Sequence, residues 1–447
     1  MLKSVFSLPR WSPPRVLATG FALIILLGGT LLAMPFATAD GQGLRYIDAL
    51  FTAASATCVT GLVVVDTGTY FSTAGQIVIL LLIQIGGLGF MTMATLFALM
   101  LKRRISLRER LILQEAMNQS SMEGIVRLIR RVVRYSLAIE AAGMLLFTSR
   151  FLYDMPPGRA LYFGLFHSVS LFNNAGFDLF GEYRSLTGYV DDPLVNMTAM
   201  LLIILGGLGF IVLSDLMEYR RNRRLSLHSK VVLTATGALI PIGALAILIF
   251  EYTNASTMSP LGWDGKLWAS LFQSVTTRTA GANSIDIGSL RQATQFFMII
   301  FMFIGASPGS TGGGIKTTTF VTLIGAAIAM IRGRDDIVLF RHRLARERIL
   351  KALTITLISL ALVMTVTMVL CATEDHEFLR ILFETVSAFG TVGLSTGITS
   401  SLTDIGKLVI ALTMFAGRLG PLTLAYALGP RTDKELYRHP EGKIIIG

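Results

Sequence analysis

Charge is scarce in this chain. Of 447 residues only 15% are Asp, Glu, Lys or Arg, while 53% are hydrophobic, and the mean hydropathy is +0.64. Soluble domains carry about 25% charged residues, so this composition excludes the two or three soluble domains that the length would otherwise suit. Cysteine is almost absent. Cys58 and Cys371 make neither a metal-ligand spacing nor a disulfide framework, and both read as free thiols. There is no long Pro/Ser-rich linker and no low-complexity tail. No His-Glu-x-x-His motif, catalytic Ser/His pairing or pair of aspartates lies in an apolar run, which argues against an intramembrane enzyme. What remains is a bundle of about eight membrane spans of roughly 20 apolar residues each.

The net charge of +11 is not spread evenly. Of the 39 basic residues, 28 fall in five places: the N-terminus (Lys3, Arg10, Arg15), Lys102–Arg134, Arg220–Lys230, Arg332–Lys351 and the tail Arg431–Lys443. The stretches between are acidic, with Asp178, Glu182, Asp191 and Asp192 in one and Glu374, Asp375 and Glu377 in another. Positive loops stay in the cytoplasm, so the pattern predicts eight crossings with both termini inside. The basic residues then serve topology and lipid headgroups rather than nucleic acid. The first apolar run, Val16–Phe36, is followed by an Ala37-Thr38-Ala39 triplet that imitates a cleavage site. It is longer than the apolar core of about 7–15 residues in a signal peptide and reads as a retained first helix.

Four stretches share one pattern of a large apolar residue, a short amphipathic segment and a glycine in a polar turn. They are Phe51–Gly61, Phe166–Gly176, Leu271–Gly281 and Phe383–Gly393, with glycines 115, 105 and 112 residues apart. A second landmark follows each. Ile85-Gly-Gly-Leu-Gly-Phe90 returns as Leu205-Gly-Gly-Leu-Gly-Phe210, with echoes at Ile304-Gly305 and Ala416-Gly417. Two landmarks kept in register mark four repeats, each a helix, a short re-entrant helix, a glycine loop and a second helix. The short helices of about ten residues cannot span. Backbone that turns at that depth survives only where it is buried in protein or lines water, and four such loops around an axis make a pore. The repeats run in one orientation, whereas many secondary carriers are built from inverted ones. The second landmarks read as close-packing points between helices.

The loop residues also indicate what such a pore would take. Val59-Thr60-Gly61, Asn174-Ala175-Gly176, Thr279-Ala280-Gly281 and Thr391-Val392-Gly393 carry no charge. Glycine lets the backbone leave helix or strand geometry, and rings of neutral carbonyls replace the hydration shell of a monovalent cation. The short helices aim C-terminal dipole ends at the centre, each about half a negative charge.

The segments Thr52–Asp66, Phe172-Asn-Asn-Ala-Gly-Phe177 and Phe389-Gly-Thr-Val-Gly-Leu394 resemble the pore loops of the Ktr/Trk/HKT superfamily, over essentially the whole chain. The resemblance implies an all-α membrane protein of four helix–pore-loop–helix repeats with pseudo-fourfold symmetry about one ion pore. It implies potassium uptake, with the twelve loop residues named above as the filter and potassium as the only metal they meet. Relatives with serine in place of the first filter glycine tend to pass sodium, so a sodium-conducting member is the alternative. It further implies a homodimer of two separate pores and a cytosolic octameric ring of nucleotide-binding regulatory subunits. It places the chain in the plasma membrane of a prokaryote and gives it no cofactor of its own. Ala282 stands where the family has a bulkier residue and Cys58 where it has a hydroxyl; neither removes a filter carbonyl.

On this reading residues 1–101 are repeat one, and 102–218 are repeat two with its preceding cytoplasmic segment. Residues 219–331 are repeat three with a broken last helix, 332–430 repeat four, and 431–447 a cytoplasmic tail. The break lies between the apolar runs Phe296–Ile304 and Phe320–Ile331, where Pro308 obstructs a helix and Gly309, Gly312, Gly313 and Gly314 make the chain pliable. It is expected to lie across the pore beneath the filter as a gate. Lys316 should face the cavity or an acidic partner, and Arg418, at equivalent depth in repeat four, should narrow the same passage. Glu384 and Arg278 are expected to pair or to cap the pore loops; Glu140 and His167 to hydrogen-bond a neighbour. Gly309–Lys316 imitates a nucleotide-binding P-loop, but one residue too many separates Gly314 from Lys316 and no strand precedes it.

Overall fold

The structure is a computed structural model that describes residues 12–89, 92, 107–116, 125–334 and 336–428. The tail 431–447, Lys3, Arg10 and parts of the basic segment 102–134 lie outside the described residues.

The regular elements of the described chain are helices, apart from a hairpin in which Val338–Leu339 pairs with His342–Arg343. Repeat one contains α1 (Pro13–Ala33), α2 (Tyr46–Cys58) and α3 (Thr73–Leu88). A connecting helix, α4 (Leu107–Ala116), leads to repeat two: α5 (Ile125–Phe151), α6 (Pro157–Phe172), α7 (Pro193–Leu208) and α8 (Phe210–Asn222). Repeat three has α9 (Leu227–Glu251), α10 (Trp263–Thr276), α11 (Gln292–Phe303) and α12 (Thr317–Ile331). Repeat four has α13 (Arg346–Thr373), α14 (Phe378–Gly390), α15 (Asp404–Leu419) and α16 (Pro421–Leu428).

The first helix of each repeat is the long one. α1, α5, α9 and α13 each contain at least 18 apolar-rich residues, enough by length and composition to cross a bilayer. Their outward faces carry exposed Leu27, Leu145, Ile249 and Met364, which in water would be a liability and in lipid is the expected surface. The short helices α2, α6, α10 and α14 sit inside this ring, their last turns buried.

The third helices begin at strong caps. Ser72 accepts from Gly75 N–H at 3.2 Å, Asp192 from Val195 at 3.0 Å and Thr403 from Gly406 at 3.1 Å. In repeat three the buried Glu251 accepts the Arg291 amide instead, at 2.9 Å.

The structure departs from the expected straight second crossings. α7 and α8 meet at 102°, and α15 and α16 at 96°. The physical cause is one residue in each: Gly209 at φ 91° and Gly420 at φ 83° turn the chain out of helix geometry. Gly89, at φ 82°, ends α3 in the same way. The inner helices α3, α7 and α15, of 16 residues each, are therefore about 24 Å long at 1.5 Å per residue, slightly short of a bilayer core, and α8 and α16 leave at right angles.

Candidate ion pathway

Each short helix ends in the core, and the three residues after it or at its end take one backbone pattern. Val59, Asn174, Thr279 and Thr391 have φ of 59°, 60°, 74° and 48°; Gly61, Gly176, Gly281 and Gly393 have φ of 97°, 68°, 76° and 92°. The middle residues, Thr60, Ala175, Ala280 and Val392, are not in this left-handed region. Alternating hand along three residues turns successive carbonyls toward the same side, something neither helix nor strand does. Three of the first residues are not ones that tolerate the left-handed region, since Val and Thr are β-branched, so the surroundings must hold them there.

Those surroundings are repeated too. Thr60, Ala175 and Val392 amides donate to the Ser55, Ser170 and Ser387 carbonyls at 2.7–2.8 Å, and Ala280 donates to Thr276 at 3.0 Å. The Ser55 and Ser387 hydroxyls accept from Gly61 and Gly393 amides at 3.0 and 3.1 Å. Ser170 and Thr276 donate to the Phe177 and Ala282 carbonyls at 2.7 and 2.5 Å. A hydroxyl on each short helix thus ties down its own turn.

The four turns close on one another. A Cβ on Gly61 would strike the Ala175 carbonyl, one on Gly176 the Ala280 carbonyl, one on Gly281 the Val392 carbonyl and one on Gly393 the Thr60 carbonyl. The order runs from repeat one through two, three and four back to one. Only glycine fits these positions, both for φ and for room.

Against this ring lies the segment 305–316, which joins α11 to α12 as irregular chain. Its backbone is paired on several sides, as buried polar groups require. Ser307 and Thr311 amides donate to Gly207 and Gly206 carbonyls at 3.1 and 3.4 Å, and Gly309 O accepts from Phe210 at 2.9 Å. Gly313 N–H donates to the Thr391 hydroxyl at 2.8 Å. Arg418 Nη1 donates to Thr311 O; its Nη2 donates to Gly86 O and, at 3.1 Å, to Gly87 O. The guanidinium thus joins repeat four to the loop and to the C-terminal carbonyls of α3. Lys316 finds no acidic partner among the described residues; its Nζ donates to the Gly312 carbonyl of its own loop at 2.5 Å.

Glu384 and Arg278 do not pair with each other. Glu384 accepts from Thr399 and, at 2.8 Å, from Ser395, bracing the chain that follows the fourth turn. Arg278 is buried with its Nε unpartnered among the described residues. Glu140 accepts from Gln84 and Asn173, both at 3.1 Å. His167 takes the Leu179 amide on Nε2 at 3.4 Å, so its Nδ1–H donates to Phe163 O at 2.7 Å. Cys58 is fully buried behind the first turn.

The second landmarks serve two ends. A Cβ on Gly86, Gly206 or Gly417 would collide with the Thr57, Phe172 or Phe389 carbonyl at the end of a short helix, which is the close packing anticipated. The glycine three residues later then breaks the helix. That second role was legible as a G-x-x-G spacing in three repeats, and it puts Arg418 where repeats one and two have Gly87 and Gly207.

The family model described as TrkH, cation transport protein, matches residues 20–430. The chain belongs to the TrkH family. It is 47% identical over 438 residues to the Ktr system potassium uptake protein B of Bacillus subtilis (strain 168), covering 98% of this chain and 97% of that protein. It is 39% identical over 444 residues to the potassium/sodium uptake protein NtpJ of Enterococcus hirae, covering 98% of each. The crystal structure of the potassium transporter TrkH from Vibrio parahaemolyticus superposes with a TM-score of 0.70 at 19% identity, over 92% of this chain and 85% of that one. Within this family the fold is the all-α membrane architecture of four repeats, and the chain is a multi-pass membrane protein.

Proposed function

We propose that this chain is the pore-forming subunit of a potassium uptake system. The observation that carries the reading is the ring of four glycine turns, each abutting the next, with no charged side chain among its twelve residues. Neutral backbone oxygens on a rigid frame suit a dehydrated monovalent cation, whereas rings of carboxylates are usual for other cation channels. The resemblance to proteins named for potassium uptake agrees with this. Permeation is passive and driven by the membrane potential, worth about 2.3 kcal/mol per charge per 100 mV. The segment 305–316 is the gate. It sits under the ring, and Arg418 holds it by the Thr311 carbonyl. A guanidinium lying on the carbonyls of Gly86 and Gly87 occupies ground where a waiting cation would rest, and repels it.

The basic segments face the cytoplasm, in a prokaryotic plasma membrane, and two copies of the chain assemble with a cytosolic nucleotide-binding ring. The sodium-conducting reading is the alternative, since one relative is named for both ions.

The test is flux from purified protein in liposomes under potassium and sodium gradients in turn. Potassium uptake well above sodium uptake is expected, and equal rates would leave the sodium reading in place. Deleting Ser310–Gly313 should raise potassium flux several-fold, and Arg418→Ala should do so more weakly. A folded deletion variant that conducts at the unmodified rate would show that the gate lies elsewhere.

A further inference from the structure

The loop and the filter are not two separate devices. Of the four residues that open the turns, Val59 is apolar, and Asn174 and Thr279 are engaged with each other: the Asn174 amide lies 3.2 Å from the Thr279 hydroxyl. With the amide oxygen facing that hydroxyl, its nitrogen reaches the Leu171 and Ile203 carbonyls at 3.1 and 3.3 Å. Thr391 differs from the other three. Its hydroxyl takes a hydrogen bond from the loop, the Gly313 amide at 2.8 Å. The loop approaches so closely there that Gly313 leaves no room for a side chain: a Cβ would press on Thr391 Oγ1 and Cγ2, and on the Gly417 carbonyl at 3.1 Å.

Thr391 is also β-branched, fully buried and left-handed at φ 48°, as are Val59 and Thr279 at φ 59° and 74°. A left-handed β-branched residue persists only where its neighbours over-determine it. Two of its supports are internal to repeat four: its own amide donates to Ala388 O at 3.1 Å, and the next amide, that of Val392, to Ser387 O at 2.8 Å. The third comes from the loop.

Resting on the reading of 305–316 as a gate, we propose that Thr391 is a positioning residue through which the closed loop sets the geometry of the fourth turn, so that gate position and ion preference are coupled. With the loop in place, the Gly313 amide pins the hydroxyl and the turn keeps its spacing. When the loop swings aside, the hydroxyl loses its donor, the strained backbone can relax, and the Val392 carbonyl shifts against Gly281, which it touches. Ions that pass while Gly313 is still bonded to Thr391 are therefore discriminated more sharply than ions that pass once the loop has left it.

The experiment compares Thr391→Val, which keeps the branch and loses the hydroxyl, with Thr391→Ser, which keeps the hydroxyl. Each is made in the full chain and in the Ser310–Gly313 deletion, and potassium and sodium uptake are measured in liposomes. In the full chain Thr391→Val should lower potassium-over-sodium preference roughly two- to tenfold, the span that one hydrogen bond covers, and Thr391→Ser should retain it. In the deletion, where the donor is already gone, both should match the unsubstituted deletion, whose preference is itself lowered. If Thr391→Val shifts preference equally in both backgrounds, the residue acts as filter wall alone and the coupling is wrong. Unchanged preference in the full chain overturns it as well. Should the valine variant fail to elute as folded protein, Thr391→Ala takes its place with the same outcomes. A deletion that does not raise flux counts against the gate, whereas a preference shift confined to the intact loop still supports the contact.

Discussion

A single glycine in each repeat meets two demands at once. At Gly281 the backbone is at φ 76° and a Cβ would run into the Val392 carbonyl; at Gly393 φ is 92° and the obstacle is the Thr60 carbonyl. Serine there adds strain and pushes a neighbouring repeat's oxygen out of the ring. Gly281→Ser and Gly393→Ser should each weaken potassium-over-sodium preference by roughly tenfold, about 1.4 kcal/mol of discrimination. Growth of a potassium-uptake-deficient host on limiting potassium, with sodium flux measured alongside, reads this directly. Preference intact in both variants would mean that the ring is not the filter.

Among the elements, the inner helices divide their work by composition. α3, α7 and α15 each pack on the end of a short helix through a glycine in their last turn and are broken three residues later by a second glycine, whereas in repeat three α11 gives way to Pro308 and the loop. The ring of repeats is closed between the first and the last by charge. Lys407 on α15 donates to Asp48 on α2 at 2.7 Å, with side chains only 9% and 10% exposed. Near the surface Arg45 and Asp404 repeat the link at 2.7 Å, exposed and therefore weak. Removing one member of a buried pair strands the other and costs about 3–5 kcal/mol. Asp48→Asn should accordingly lower the unfolding temperature of the detergent-solubilised protein, and adding Lys407→Met should restore most of the loss. A single variant as stable as the parent would show that the pair contributes nothing to holding repeats one and four together.

For the whole molecule, fourfold likeness is broken most plainly after α11, in the segment proposed as the gate. α3 ends at a glycine corner and α7 and α15 turn at one; α11, in repeat three, dissolves into a loop that contacts repeats two and four and is held by Arg418. The orientation proposed for this assembly rests on charge. In a chain carrying Cys58→Ala and Cys371→Ala, Asn222→Cys should react with a membrane-impermeant thiol reagent only from the cytoplasmic side. Glu182→Cys should react only from outside. The reverse pattern would overturn the eight-crossing topology.

The amino-acid sequence by itself determined the class and the plan. Low charge and long apolar runs require lipid, and two glycine landmarks in register require four repeats, because a 447-residue chain has no other way to keep both spacings. The turn residues could be named for the same reason, since glycine after an element too short to cross has few other uses. Partner choice could not be read, because it depends on distances across repeats more than a hundred residues apart. Lys316 bonds its own loop rather than an acid. Glu384 braces the following chain rather than pairing with Arg278. The corners at Gly209 and Gly420 arise only once the upper helix is locked against a short helix and the chain below must turn aside. Tertiary structure alone brought Gly313 to Thr391, 78 residues away, because that contact exists only when the third and fourth repeats are folded against each other.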